Sequence, residues 1–157
     1  MSKIKCQNPG ISLIEMIIVL AVGAVLVTAV VVSFSSFRNS KIIDVSADQI
    51  LSVINEARVK TVSSEDYSRF GVRLEANRVV FFKGDVFTEP NSSNIDTPLS
   101  SLVEIGNISL NGGGADIVFK KLTGKTSNYG SLRVRLKSDN NKYKTISVKS
   151  TGVANIQ

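Results

Sequence analysis

No charged residue interrupts positions 16–37, where the side chains are aliphatic, aromatic or small. That run exceeds the roughly 20 apolar residues with which an α-helix crosses about 30 Å of hydrocarbon. Past Phe37 the chain turns polar, yet neither proline nor glycine occurs again until Gly71. Within this stretch Ile43, Ala47, Ile50, Ile54 and Ala57 recur at alternating steps of four and three, the stripe of an amphipathic helix. One helix over residues 11–62 would be about 78 Å long at 1.5 Å per residue. Its first half would be apolar all round and its second half apolar on one side only.

From Arg69 onward the period drops to two. The segments RFGVRLE, NRVVFFKG, ADIVFKK, SLRVRLKS and KTISVKS alternate and are rich in Val, Ile and Phe, so each predicts a strand. Turn signals separate them at Gly84-Asp85, Gly112-Gly113-Gly114, Ser138-Asp139-Asn140-Asn141 and Thr151-Gly152. The polar stretch 87–101, which holds two of the three prolines, reads as an exposed loop. A long helix followed by such strands predicts an α+β fold, with the helix packed on an antiparallel sheet. The expected divisions are 1–10, 11–37, 38–62 and 63–157: a short basic segment, an apolar half-helix, an amphipathic half-helix and a β-rich domain.

Composition narrows the chemistry. The chain has 157 residues, no histidine and one cysteine, Cys6. An intramolecular disulfide is excluded, and so are the usual general base, triad partner and paired-cysteine metal site. An enzyme is disfavoured, and no cofactor or metal is expected. The glycine triplet lacks the Gly-Lys-Ser/Thr of a phosphate loop, and residues 139–141 lack the remaining spacing of a calcium hand, so both read as turns.

The formal charge is +6, unevenly spread. Residues 117–149 hold nine cations against one anion, Asp139, whereas residues 39–116 are slightly acidic. In SLRVRLK, alternation turns Leu132, Val134 and Leu136 towards a core and Arg133, Arg135 and Lys137 outward. Such a face either keeps the domain soluble or meets an anionic partner. Arg133, Arg135, Lys137 and Lys149 are therefore the candidate contacts to nucleic acid, with Tyr129 and Tyr143 available to stack on bases.

Glu15 stands at the head of the apolar helix. A carboxylate at the centre of a membrane helix costs about 2.5–3.5 kcal/mol on insertion scales, and less near an end. It either marks the helix start in the headgroup zone, where an anion also suits the macrodipole, or meets a partner within the membrane. A cleaved secretory signal fits poorly, since its apolar core is about 7–15 residues and a small-residue cleavage site follows. Here Arg38 follows a longer run.

The string Gly10-Ile11-Ser12-Leu13-Ile14-Glu15, after a short basic leader and before an unbroken apolar helix, resembles the type IV prepilin signal. The resemblance implies that a prepilin peptidase cuts after Gly10 on the cytoplasmic side and that Ile11 becomes the N-methylated mature terminus. Glu15 is then the fifth mature residue, meeting the terminal amine of a neighbouring subunit. Ile11 stands where the family usually has Phe, a departure that bears on methylation more than on cleavage. The stretches ILSVINEARVKTV, IVFKKLTGKTSNYGSLRVRL and ISVKSTGVANIQ are similar to those of GspH/FimT-type minor pseudopilins. In a bacterial cell, which such a leader implies, the sequons at Asn91 and Asn107 carry no weight.

Membership of that group implies a non-enzymatic subunit of a type IV pilus or type II secretion pseudopilus. Its expected partners are the prepilin peptidase, other pilin subunits, the inner-membrane assembly platform and, before assembly, membrane lipid. It would span the inner membrane once, N-terminus in the cytoplasm and globular domain outside. DNA is a further expected partner if the chain serves an uptake pilus, as FimT-like minor pilins do. The competing expectation is an unprocessed single-pass protein with an outer binding domain.

Overall fold

The computed structural model describes residues 12–157, apart from the side chains of residues 29 and 31–36. One helix, α1 (Leu13–Val62), is followed by a turn at Glu65–Tyr67 and eight strands. These are β1 (Phe70–Leu74), β2 (Arg78–Lys83), β3 (Ile95–Pro98), β4 (Val103–Leu110), β5 (Asp116–Val118), β6 (Gly130–Leu136), β7 (Asp139–Val148) and β8 (Ala154–Ile156). They form two four-stranded sheets, ordered β3-β2-β1-β5 and β4-β6-β7-β8, and every pairing is antiparallel. The fold is α+β, as the change of period predicts. The chain divides into a unit ending at Arg38 and a second unit, Asn39–Gln157.

The second unit is built on the stripe. Ile43, Ala47, Ile50, Ile54 and Ala57 are all buried and share one core with inward residues of both sheets, among them Val72, Phe81, Ile117, Leu132, Val134 and Ile146. Thr61 closes the helix. Its buried hydroxyl donates to the Ala57 carbonyl at 2.7 Å and accepts from the Phe70 amide at 3.0 Å, tying α1 to the start of β1. Both groups are thereby satisfied in a place where an unpaired one would cost about 1–3 kcal/mol.

Two segments depart from the expectation. The stretch 87–101 is not simply an exposed loop, because it holds β3, which pairs with β2 from Arg78↔Pro98 to Phe81↔Ile95. No alternation of apolar residues marks β3, since its four residues are exposed or half-buried. Pairing and charge hold it instead. Arg78 bonds Glu75 at 2.7 Å, Asp96 at 2.8 Å and Glu89 at 2.9 Å, and the Glu75 bond, reinforced by those to Glu89 and Asp96, raises the guanidinium's pKa further. Phe87 packs edge-on against Phe82 at 5.6 Å, so the segment covers that side of β2.

The second departure is the turn expected at residues 138–141. Leu136 pairs with Asp139, which places the reversal at Lys137 and Ser138 and puts Asp139 to Asn141 inside β7. The register jumps between Arg135 and Leu136, and a bulge at the start of β7 takes up the extra residues. The Asp139 carboxylate accepts from the Asn141 amide at 3.0 Å, a local bond that shapes this bulge.

Glycine is required where turns meet the helix. A Cβ on Gly152 (φ +81°) would stand 1.8 Å from the Gly124 carbonyl oxygen, and one on Gly124 (φ +61°) 2.7 Å from the Val62 side chain. The Arg58 guanidinium lies against both positions, with its Nε buried and unpaired. Gly113 also has positive φ, +73°, but open space around it. Gly113→Ala should therefore cost only the left-handed backbone term, about 1–2 kcal/mol. Gly152→Ala adds a backbone collision and should cost at least about 3 kcal/mol. Urea unfolding of the chain from Asn39 onward measures both; equal losses would show that the packing around Gly124 gives way.

Candidate functional site

The sequence nominates two places, one at each end of the chain. Gly10 and Ile11 lie outside the described residues. Glu15 is described and sits in the first turn of α1, exposed, next to the bond from the Met16 amide to the Ser12 carbonyl. In that position its charge suits the positive end of the helix dipole. Around and beyond it the helix is apolar on every side. Leu13, Ile17, Leu20, Val25, Leu26 and Val30 point in all directions and are all more than half exposed.

A helix apolar around its whole circumference suits a non-aqueous surrounding. Among the described residues no helix is both long and apolar enough to cross a membrane.

The four nominated C-terminal cations lie on β6 or in the turns at the two ends of β7. On β6 the alternation holds: Leu132, Val134 and Leu136 are buried, Arg133 is exposed and Arg135 half-buried. Arg133 lies over the ring of Tyr143, 4.6 Å from its centroid. Arg135 is engaged by Glu104 on β4, its Nε at 2.8 Å and its Nη2 at 2.7 Å from one carboxylate oxygen. Lys137 stands in the reversal after β6, and its amide donates to the Leu102 carbonyl. Lys149 follows the other end of β7, in the turn that leads to β8, so the length of that strand separates it from Lys137.

The four nominated cations thus do not converge. Arg133 is an exposed cation backed by an aromatic ring, whereas Arg135 is neutralised. No sequence signal singles out Glu104, because the strand that carries it, β4, lacks a regular period. Its apolar parity flips across the bulge between Gly106 and Ser109, so that Val103 and Ile105 are buried at odd positions and Leu110 at an even one.

Residues 7–31 match the prokaryotic N-terminal methylation motif. Among curated proteins none matches the chain in sequence. Two solved structures share the fold. The minor pseudopilin EpsH from the type 2 secretion system of Vibrio cholerae aligns with a TM-score of 0.54 at 13% identity, over 73% of this chain and 95% of that one. The type IV minor pilin FimU of Pseudomonas aeruginosa aligns with a TM-score of 0.52 at 10% identity, over 73% and 91%. The chain thus carries the methylation motif and shares its α+β fold with a minor pseudopilin and a minor pilin.

The Glu104–Arg135 pair is partly exposed, a setting in which ion pairs contribute about 0.2–1 kcal/mol. A double-mutant cycle with Glu104→Gln and Arg135→Gln should return a coupling in the upper half of that range, because two guanidinium nitrogens are engaged. The coupling should shrink in high salt. Zero coupling at low salt would mean that Arg135 is available to another anion.

Proposed function

We propose that the chain is a minor pilin or pseudopilin, a non-enzymatic structural subunit assembled into a type IV pilus or a type II secretion pseudopilus. The methylation motif over residues 7–31, joined to a helix whose described apolar circumference is left uncovered, carries this reading. Two surroundings suit that surface in turn. Residues 16–37 are long enough to cross a bilayer, which supports a single-pass anchor in the inner membrane with the N-terminus cytoplasmic. The same residues then pack against the helices of neighbouring subunits in the filament.

Processing completes the logic of Glu15. Cleavage after Gly10 creates an amine at Ile11, the site proposed for methylation. A carboxylate at Glu15 then serves a neighbour's terminal amine during assembly. Leaving either charge unpaired in a low-dielectric bundle is costly, and pairing offsets much of that cost, so the pair favours docking in register. The prepilin peptidase, other pilin subunits and the assembly platform are the partners this function requires.

Capture of DNA is the second reading, favoured by the exposed Arg133 on Tyr143. It has few cations to work with on that face, since Arg135 is engaged and Lys149 lies apart. Binding of duplex DNA by the folded unit should therefore be weak and should fall steeply with salt. Unchanged binding by an Arg133/Arg135/Lys137 triple-alanine variant would remove this face from consideration.

Intact mass of the protein from cells with and without the peptidase tests the main reading. The expected mature form starts at Ile11, and retention of residues 1–10 in the presence of the enzyme would sink it. Glu15→Ala should still enter the membrane yet be largely missing from sheared filaments. Normal incorporation would remove Glu15 from assembly.

A further inference from the structure

Two loops meet the last turns of α1. Residues 120–126 and 149–153 are joined by the bond from the Thr126 amide to the Ser150 carbonyl, and Arg58 lies against Gly124 of one and Gly152 of the other. The guanidinium is half-buried, and among the described residues nothing accepts from its N–H groups. Donors on a charged group are costly to leave unpaired away from water, so they call for an acceptor from elsewhere.

Three more cations stand around it. Lys120 and Lys125 close the first loop, through the bond from the Lys120 amide to the Lys125 carbonyl, and Lys149 opens the second. All three are exposed, and among the described residues their ammonium groups have no partner, whereas Lys121 donates to the Tyr67 carbonyl. The carboxylates at the end of α1 and in the turn after it are already used, Glu56 and Glu65 by Lys60 and Asp66 by Lys83. The two loops therefore gather positive charge that no described carboxylate matches.

Aliphatic side chains share this surface. Leu122, inside the first loop, is 80% exposed and left-handed, with φ +63°. That backbone disfavours any residue with a Cβ, so a protruding leucine is kept there against its own preference. The Val62 side chain meets the same loop at Gly124, and Val153 follows Gly152; both are exposed. Cations alone suit any polyanion, and the aliphatic groups decide between them. A phosphate backbone leaves such groups in water, whereas a protein segment bearing both carboxylates and apolar side chains covers them.

We propose that the end of α1 and these two loops form a docking surface for an acidic segment of another protein that also carries aliphatic side chains. Arg58 receives a carboxylate, Leu122 is the apolar anchor, and the three lysines form the rim. The proposal does not depend on membrane anchoring or on processing at Gly10.

A library of random dodecapeptides displayed on phage, selected on the full-length chain in neutral detergent, is the probe. Recovered sequences should be enriched in Asp and Glu interspersed with aliphatic residues. The commonest of them, synthesised, should bind Arg58→Gln at least about tenfold more weakly, the loss of one hydrogen bond between charged groups. Lys125→Gln should weaken it about threefold, as a rim charge does. Leu122→Gly should also weaken binding, yet leave the urea midpoint unchanged or raised, because glycine accepts the positive φ. Lys41→Gln, seventeen residues before Arg58 on the same helix and about 26 Å away along it, should bind normally. No enrichment, peptides without an acidic bias, or binding indifferent to Arg58→Gln or to Leu122→Gly overturns the proposal. Tighter binding of a single-stranded DNA dodecamer, lost in the same variants, also overturns it by assigning the surface to nucleic acid.

Discussion

The folded unit depends on the seam along one side of α1. Ala47 and Ala57 are small enough to let the sheets approach the helix closely, while Ile50 and Ile54 fill the space between them, all four without exposed surface. Each such isoleucine contributes about 1.5–3 kcal/mol over leaving it in water. The seam also positions the strands after it. Thr61 ends the buried stripe and bonds the first residue of β1, which fixes where the first sheet begins. The glycine turns at Gly124 and Gly152 bring the loops before β6 and β8 against the last turns of the same helix. Both sheets thus take their position from one stripe of residues.

How legible a segment is in the sequence depends on whether burial or pairing holds it. The helix and the strands β1, β2, β5, β6 and most of β7 bury one face or both, so their apolar period can be read directly. Strand β3 buries almost nothing and is held by β2 and by the carboxylates around Arg78, which leave no periodic trace. Strand β4 does bury residues, but a bulge at Asn107 (φ +48°) switches which positions face inward. The reversal between β6 and β7 is shorter than its run of polar residues suggests, because three of those residues form a bulge inside β7. At the site the same division holds. Alternation places Arg133 correctly, whereas the partner of Arg135 lies on a strand that alternation cannot reveal.

Among the described residues upstream of Asn39 there is no such seam. The described side chains of α1 there are apolar in every direction and more than half exposed. In the proposed filament this would give the carboxylate of Glu15 its leverage. Among apolar neighbours, dispersion and hydrocarbon burial are nearly indifferent to sliding one helix along another, since one aliphatic contact replaces the next. A charge that must find an opposite charge is not indifferent, because a shift of one turn leaves both unpaired. Under the proposed pairing with a neighbour's terminal amine, one residue at position 15 would specify register over a surface that otherwise has little preference.

Charge in the folded unit obeys the same distinction between total and place. A formal +6 suggests a strongly cationic body, but topology disperses much of it. Arg135 is matched by Glu104, Arg73 by Asp116, Lys83 by Asp66, and Arg78 by three carboxylates. What an anion meets is therefore the local balance and not the sum, since screening limits each charge to about 8–10 Å at physiological salt.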